Sequence, residues 1–543
     1  MSARMDRRSF LKAAGGTAAA AAVGPAVFRP RETWAQDPRT LVVAWDSDID
    51  TLDPASFKTN GGYVTIANIC DGMIGWKVRP IEGQPGFARS HPGEFDGMLT
   101  ESWKTEDNGA TLVFRVRKGV KFPSGRPVTA QALKYSFDRG LQSPGYMKLI
   151  FPRLIRTTDP AQFVVRDDAT FAIKMPGSTP LAMDTIALSN NAILDPDEVK
   201  AHATKEDPWA AEWLKRNPAG VGAYRLVKNE PGVEIVFEAA PGYWRPKPYF
   251  ERVVLKLVPN EADRVLLLKR KAIQLVAGRP GLSPKNVKSL EGEAGLKILR
   301  VPDTICNYLA MNQKKAPFDN VLVRRAVNYA IPIQAILPSV LYGYGEQMTS
   351  PVPSLTPSHL GKYSPYRHDI AKAQALMKEA GVKAPVPVDL AIRVGWPTHE
   401  QAAVWIQREL EKIGFKVSIA KESDATFRQV AIKGDHTLSI ESWQSWVNDP
   451  YYHLSFLFDS RQKFTNLSFY HNERVNRLLD ANMHESDLAK RNAASEEIQK
   501  ILLDDAVWGL LWYENWVRVM SADLSGLEKR WDTFERYYAA RRA

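Results

Sequence analysis

Val388-Asp-Leu-Ala-Ile-Arg-Val394, Gly395-Trp-Pro-Thr398 and Phe415-Lys-Val-Ser-Ile419 frame the stretch that decides the fold. Val388, Leu390, Ile392 and Val394 alternate, as a strand with one buried face requires. Between Thr398 and Gly414, the residues Ala403, Ile406, Leu410 and Ile413 recur on one helical face, and Gly414 stops that helix. Phe415, Val417 and Ile419 alternate again. Strand, helix and strand in that order predict a parallel β-α-β unit with a right-handed crossover, and hence an α/β fold.

The neighbours extend this pattern. Upstream, Asp369 caps a helix carrying Ile370, Ala373, Leu376, Met377 and Ala380, ended by Gly381. Downstream, Leu438 to Trp443 is a further strand that enters the loop Gln444-Ser-Trp-Val-Asn-Asp-Pro450. The first half is more strand-rich. Thr40-Leu-Val-Val-Ala-Trp45 reads as a short buried strand, residues 111 to 122 as a strand before a turn at Pro123-Ser-Gly125, and Thr129 as a helix cap. Val233 to Phe237 and Val253 to Val258 read as two more strands.

Open α/β sheets bind ligands beyond the carboxyl ends of their strands. That rule selects Asp46 to Asp50, Gly395 to Thr398 and Gln444 to Pro450. Trp45, Trp396, Trp443 and Trp446 stand in or beside these loops. Together they predict a large apolar cleft able to stack on a ligand. The alternative for any one of them is a place in a core. Arg393 ends its strand off the Val388/Leu390/Ile392 face, where it would either clamp a carboxylate or face solvent.

The N-terminus reads Asp6-Arg-Arg-Ser-Phe-Leu-Lys-Ala-Ala-Gly-Gly16, followed by a weakly apolar run to Phe28. The arginine doublet and the short Ala/Gly-rich run resemble a twin-arginine export signal, with cleavage expected after Thr33-Trp-Ala35. Residues 1–35 would be the signal peptide, and the rest would work in the periplasm after export in folded form. The whole chain carries a formal +11; six basic and two acidic residues lie in 1–35, which leaves about +7 for the remainder. No basic tract resembles a nucleic-acid arm. Cys70 and Cys306, each in an apolar run, are expected as buried free thiols.

Motifs for chemistry are mostly missing. Asp46-Ser-Asp-Ile-Asp50 starts like a calcium loop, but its sixth and twelfth positions are Thr51 and Phe57 where Gly and Glu are needed. No nucleophile elbow, zinc-protease helix or phosphate-binding loop occurs. No cofactor and no metal are expected.

Leu99-Thr-Glu-Ser-Trp103, Phe114-Arg-Val-Arg-Lys-Gly-Val-Lys-Phe122 and Ser124-Gly-Arg-Pro-Val-Thr-Ala130 form a block, preceded by Asp50-Thr-Leu-Asp-Pro54. Gly222-Ala-Tyr-Arg-Leu226, Pro241-Gly-Tyr-Trp244, Lys247-Pro-Tyr249, Met311-Asn312, Pro317-Phe-Asp319 and Val323-Arg-Arg-Ala-Val-Asn-Tyr-Ala330 follow in order. As a collinear series these resemble the extracytoplasmic solute-binding proteins of the dipeptide, oligopeptide and nickel group, which feed ABC importers. The resemblance implies a two-lobed periplasmic-binding-protein fold with a hinge. Lobe I would take 36–302, with an added subdomain at about 72–205, and lobe II would take 303–515, with 516–543 returning to lobe I. It implies a monomer that closes on a small-molecule ligand and hands it to permease subunits, with no nucleic-acid partner.

Peptide binders of this group hold the ligand's α-ammonium on an Asp a few residues before a late Asp-Pro. Aligned on Asp449-Pro450, that position falls on Trp446, which cannot pair a buried ammonium. A one-residue gap would offer Asn448 or Asp449 instead. A second departure is Gln274, where the group usually has Asp. The ligand expected from these departures lacks a free N-terminal amine: an anionic solute such as an opine, a metal chelate, or a glycoconjugate. Ordinary di- or oligopeptides are the alternative, and a secreted enzyme on the same fold is the competing class. Ser47, Tyr63 and Tyr308 complete the expected ligand contacts, with Trp45, Arg393, Trp396, Trp443, Trp446, Asn448 and Asp449.

Overall fold

The computed structural model describes residues 37–279, 281–532 and 535–543. The expected export signal and its cleavage site therefore lie outside the described residues. An 11-stranded mixed sheet runs through both lobes. From one edge to the other its strands are Phe415–Glu422, Val386–Arg393, Leu438–Gln444, Leu296–Met311, Trp508–Ser521, Leu275–Val276, Thr40–Trp45, Arg252–Leu257, Glu234–Ala239 and Tyr224–Glu230, with Gly345–Gln347 pairing beside Trp508–Ser521.

Two long antiparallel strands, Leu296–Met311 and Trp508–Ser521, join the lobes. Their register slips between Pro302 and Ile305, which breaks the ladder there. Asp303 in this bulge is 1% exposed and pairs with Lys529 at 2.9 Å, and the Thr304 hydroxyl donates to the Ser445 carbonyl at 3.0 Å.

In the second lobe, Val386–Arg393 and Phe415–Glu422 pair in parallel, and helix Pro397–Lys412 makes the crossover. Ala403, Ile406 and Leu410 bury its inner face on Leu390 and Ile392. Each such side chain contributes about 1.5–3 kcal/mol of burial. Pro397 opens the helix, earlier than the loop Gly395 to Thr398 implied, because proline's fixed φ suits the first helical position. Val394 lies past the strand end and is 58% exposed, so the alternation stops at Ile392.

In the first lobe, Thr40–Trp45 is buried on every residue and pairs in parallel with Arg252–Leu257 and Leu275–Val276. Gln274 finds its role here: its side-chain oxygen accepts from the Val42 backbone N–H at 2.8 Å, extending the ladder by one bond. Asp53, from the Asp50–Pro54 stretch, forms a two-pronged pair with Arg139 at 2.7 Å on both oxygens, and both residues are buried. Near the chain's end, Glu528–Lys529 pairs in parallel with Gln84–Gly97, and Tyr537 is fully buried.

A subdomain apart from the large sheet is built on a four-stranded antiparallel sheet in the order Thr100–Glu106, Thr111–Val116, Thr170–Lys174 and Phe163–Asp167. Helix Ala130–Gln142 covers it, capped by Thr129 as expected. Phe137 meets Phe151, Phe163 and Phe171 at 5.3–5.7 Å between ring centres. The strand read over 111–122 ends at Val116, because Gly119 at φ +80° turns the chain, and Lys121 keeps only an isolated bridge to Pro127. The subdomain's apolar core runs on without a break into that of the second lobe, whereas the first lobe's core around Thr40–Trp45 and helix Asn60–Ile69 is separate. Cys70 and Cys306 are both free and buried.

Candidate functional site

Strands Thr40–Trp45 and Leu275–Val276 run parallel, so Asp46 and Gly278-Arg279 leave the sheet side by side at its carboxyl edge. Asp46 accepts the Arg279 backbone N–H at 2.6 Å, and Asn60 donates to the Arg279 carbonyl at 3.3 Å. Position 278 must be glycine: φ is +89°, and a Cβ there would stand 2.6 Å from the Asp46 carboxylate. Burial pushes the Asp46 carboxyl above its usual range, and the Arg279 amide opposes that rise.

The Arg279 side chain leaves this fixed backbone and crosses to the second lobe. Its Nη2 donates to Ser442 Oγ at 2.6 Å and stands 3.5 Å from Glu514 Oε2. Its guanidinium carbon lies 5.3 Å from the Trp396 ring centre, and Arg393 lies 5.8 Å from the same ring. Glu514, on the long strand Trp508–Ser521, also accepts from Asn307 Nδ2 at 3.3 Å. Asn307 Oδ1 in turn faces His399 Nε2 at 2.9 Å. Burial, followed by the charges of Arg393 and Arg279, holds His399 well below the usual histidine range, so its ring is neutral at pH 7.

A second seam is aromatic. Trp446 enters from the second lobe and meets Tyr146 at 4.9 Å, Tyr63 at 5.8 Å and Phe57 at 6.2 Å, all from the first lobe. Tyr63 is fully buried, and its hydroxyl donates to Asp532 at 3.2 Å. A third contact is ionic. Arg153 of the subdomain reaches Asp459 at 2.8 Å and Ser455 Oγ at 3.1 Å. Burial pushes the Asp459 carboxyl up, yet hydrogen bonds from Arg461 and Arg153 bring it down to about 2.

The other expected site residues have settled positions. Trp45 is fully buried in the first lobe's core. Trp443 packs beside Tyr452 and Phe456. Trp396 and Trp446 thus sit at the seam between lobes, while Trp45 and Trp443 pack within one lobe each; the four do not line a single wall. Tyr308 is 2% exposed and stacks on Trp508 at 3.6 Å. Ser47 accepts the Gly61 N–H at 3.0 Å and donates to Asp46. Arg393 is 6% exposed, which rules out a solvent-facing role; it pairs with Glu441 at 2.8 Å and Asp424 at 3.2 Å and covers Phe427.

Asn448 accepts from Thr356 and donates to Leu355. Asp449 caps helix Pro450–Leu457 and binds both prongs of Arg491 at 2.7 Å. Asp46, Asp48 and Asp50 each serve different backbone N–H groups, those of Arg279, Gly232 and Lys58. Sequence reading missed Arg279, Ser442, Glu514 and Asn307. The two-residue strand before Arg279 is too short to show periodicity, and the glycine at 278 is the one local signal.

The family model for bacterial extracellular solute-binding proteins, family 5, middle region, matches residues 94–465, and that for the twin-arginine translocation signal sequence matches residues 4–24. Among curated relatives, the probable D,D-dipeptide-binding periplasmic protein DdpA of Escherichia coli K12 is 29% identical over 488 residues, 90% of each chain. Among solved structures, the periplasmic binding protein DppA of Helicobacter pylori, in complex with the peptide STSA, superposes with a TM-score of 0.79 at 24% identity, over 93% of this chain and 98% of that one. The binding protein MoaA of A. tumefaciens R10, in complex with mannopinic acid, gives 0.78 at 19% identity, over 93% and 99%. These two likenesses establish the two-lobed periplasmic-binding-protein fold. The chain belongs to the family 5 extracellular solute-binding proteins, and it is exported by the twin-arginine route to the periplasm.

Proposed function

We propose that this protein is the substrate-binding component of an ABC importer that closes on an anionic small solute lacking a free N-terminal amine. The observation that carries this reading is the aromatic seam. Aligned on Asp449-Pro450, the position where the group's peptide binders keep their ammonium-pairing Asp falls on Trp446, which is packed among Phe57, Tyr63 and Tyr146. The nearest replacement, Asp449, is held by Arg491 and by its own helix. An ammonium brought here would lose its water without gaining a counter-charge.

The hinge would lie at the bulge after Pro302, with lobe I at 36–302, lobe II at 303–515 and the tail 516–543 back in lobe I. The pairing of Glu528–Lys529 with Gln84–Gly97 supports that return. Binding would proceed without turnover, by a monomer that presents its closed form to permease subunits.

One observation favours the second reading, a di- or oligopeptide ligand. Glu514 stands on the hinge strand with its side chain 34% exposed and only long bonds to Arg279 and Asn307, so it offers a carboxylate from a different place. Thermal shift against di- and tripeptides, opines, metal chelates and oligosaccharides separates the two readings. Stabilisation by opines or chelates with none by free-amine peptides is expected; stabilisation by ordinary dipeptides would transfer the function to the second reading.

A further inference from the structure

Arg279 differs from the other charged groups between the lobes in how it is held. Asp53 pairs with Arg139, Arg393 with Glu441 and Asp424, and Asp449 with both terminal nitrogens of Arg491, whose Nε is buried without an acceptor like that of Arg279. Arg279 has a backbone fixed at both its N–H and its C=O, by Asp46 and Asn60, and a side chain that spans the seam. Its Nε is buried without an acceptor. Among the described residues only Nη2 has partners: Ser442 Oγ at 2.6 Å and Glu514 at the long distance of 3.5 Å. A guanidinium presents five N–H groups in a planar fork, and a buried one without an acceptor is costly. Arg393 approaches the same Trp396 ring, so two guanidinium groups flank one indole, with the N-terminal end of helix Pro397–Lys412 beginning at that residue. The side chain that delivers the fork sits on a rigid support, which keeps the cost of ordering it low when a ligand arrives.

We infer that Arg279 is the specificity-determining residue of the cleft, receiving an oxyanion of the ligand, a carboxylate or a phosphate, on its Nε edge. This rests on the solute-binding reading above and names the chemistry at one of its contacts. Because Arg279 belongs to the first lobe and Ser442, Glu514 and Trp396 to the second, an anion held there ties the lobes together. Its binding energy is then spent on the closed state alone, the condition for a ligand to shift that equilibrium. Glu514, 3.5 Å from Nη2, is the resident partial counter-ion of Arg279 before a ligand binds. The proposal accommodates both readings of the ligand, since an opine and a peptide each carry a carboxylate; what it excludes is a neutral ligand as the preferred one.

The experiment is a titration of the exported protein with citrate, inorganic phosphate and maltose at constant ionic strength, followed by thermal shift and tryptophan fluorescence. Citrate or phosphate is expected to saturate and maltose to have no effect, and which anion is tighter identifies carboxylate or phosphate. Arg279→Gln is expected to weaken the anion at least tenfold, and Arg279→Lys to recover part of that loss, since lysine keeps the charge without the fork. Circular dichroism and unfolding of each variant establish that it folds. Anion binding unchanged in Arg279→Gln, or no saturation with either anion, would overturn the inference. If a compound from the wider panel closes the parent and Arg279→Gln equally well, the inference falls while the solute-binding reading stands. If nothing in either panel saturates, both fall.

Discussion

The seam at Trp446 and the contact at Arg153 join the same two halves of the molecule by opposite physics. At Trp446 four rings from two lobes pack together, a contact whose strength follows the area removed from water and is largely indifferent to salt and pH. At Arg153 a single guanidinium bridges to Asp459 and Ser455, a contact that is directional and depends on both charges being present. The first contributes through area, the second through direction and charge.

The comparison is broken most strongly at Asp459, which is fully buried and carries bonds from both Arg153 and Arg461. Asp459→Ala takes the carboxylate from the largely buried Arg153, while Arg461 keeps Asp480 and solvent, and a loss of about 3 kcal/mol is expected in urea unfolding. With the carboxyl held down at about 2 against an ordinary 3.8, this contribution is complete above pH 4 and fades as the pH falls from about 4 to 2. Trp446→Ala comes next. It removes three ring contacts and leaves a gap, and about 2–3 kcal/mol should be lost from the closed form. Small-angle scattering should show a larger radius of gyration, and Trp446→Phe should restore most of the compactness. Arg153→Ala should cost less, about 1–2 kcal/mol, because Arg461 still compensates Asp459. If 0.5 M salt weakens the Trp446 contact as much as the Arg153 contact, the distinction between the seams is wrong.

The two halves of the chain were not equally legible. The β-α-β unit of 386–422 could be read almost residue by residue, because its strands are long and its helix carries a regular apolar face ended by glycine. Thr129 and Asp369 were readable as caps for the same local reason. What could not be read is contact between residues remote in sequence. Trp45 and Trp446 stand at or just beyond the carboxyl ends of strands that the sequence shows, yet one is sealed in a core and the other spans a seam. Arg393 follows strand periodicity to a solvent-facing register, but Glu441 and Asp424, 48 and 31 residues away, fold over it. Arg279 had no periodic context at all, and only pairing with Thr40–Trp45 turns the residues before it into a strand.

The smallest effect expected is also the one that distinguishes charge from packing most cleanly. Asp184 lies in the subdomain, accepts from Trp76 Nε1 at 2.6 Å, and feels the Asp449 and Arg491 charges of the other lobe. Burial, followed by repulsion from Asp449, lifts its carboxyl to about 7. Below about pH 4 the group is neutral folded and unfolded, and it costs nothing. As the pH rises from about 4 to 7 the unfolded chain ionises first, so stability falls across that window and stays low above it. Asp184→Asn keeps an acceptor for Trp76 and has no charge to bury. Its melting temperature should match the parent's at pH 4 and exceed it by about 1–2 °C at pH 8. A constant difference at every pH would mean that residue 184 acts through packing alone, and that the ionic side of the contact between the lobes ends at Arg153.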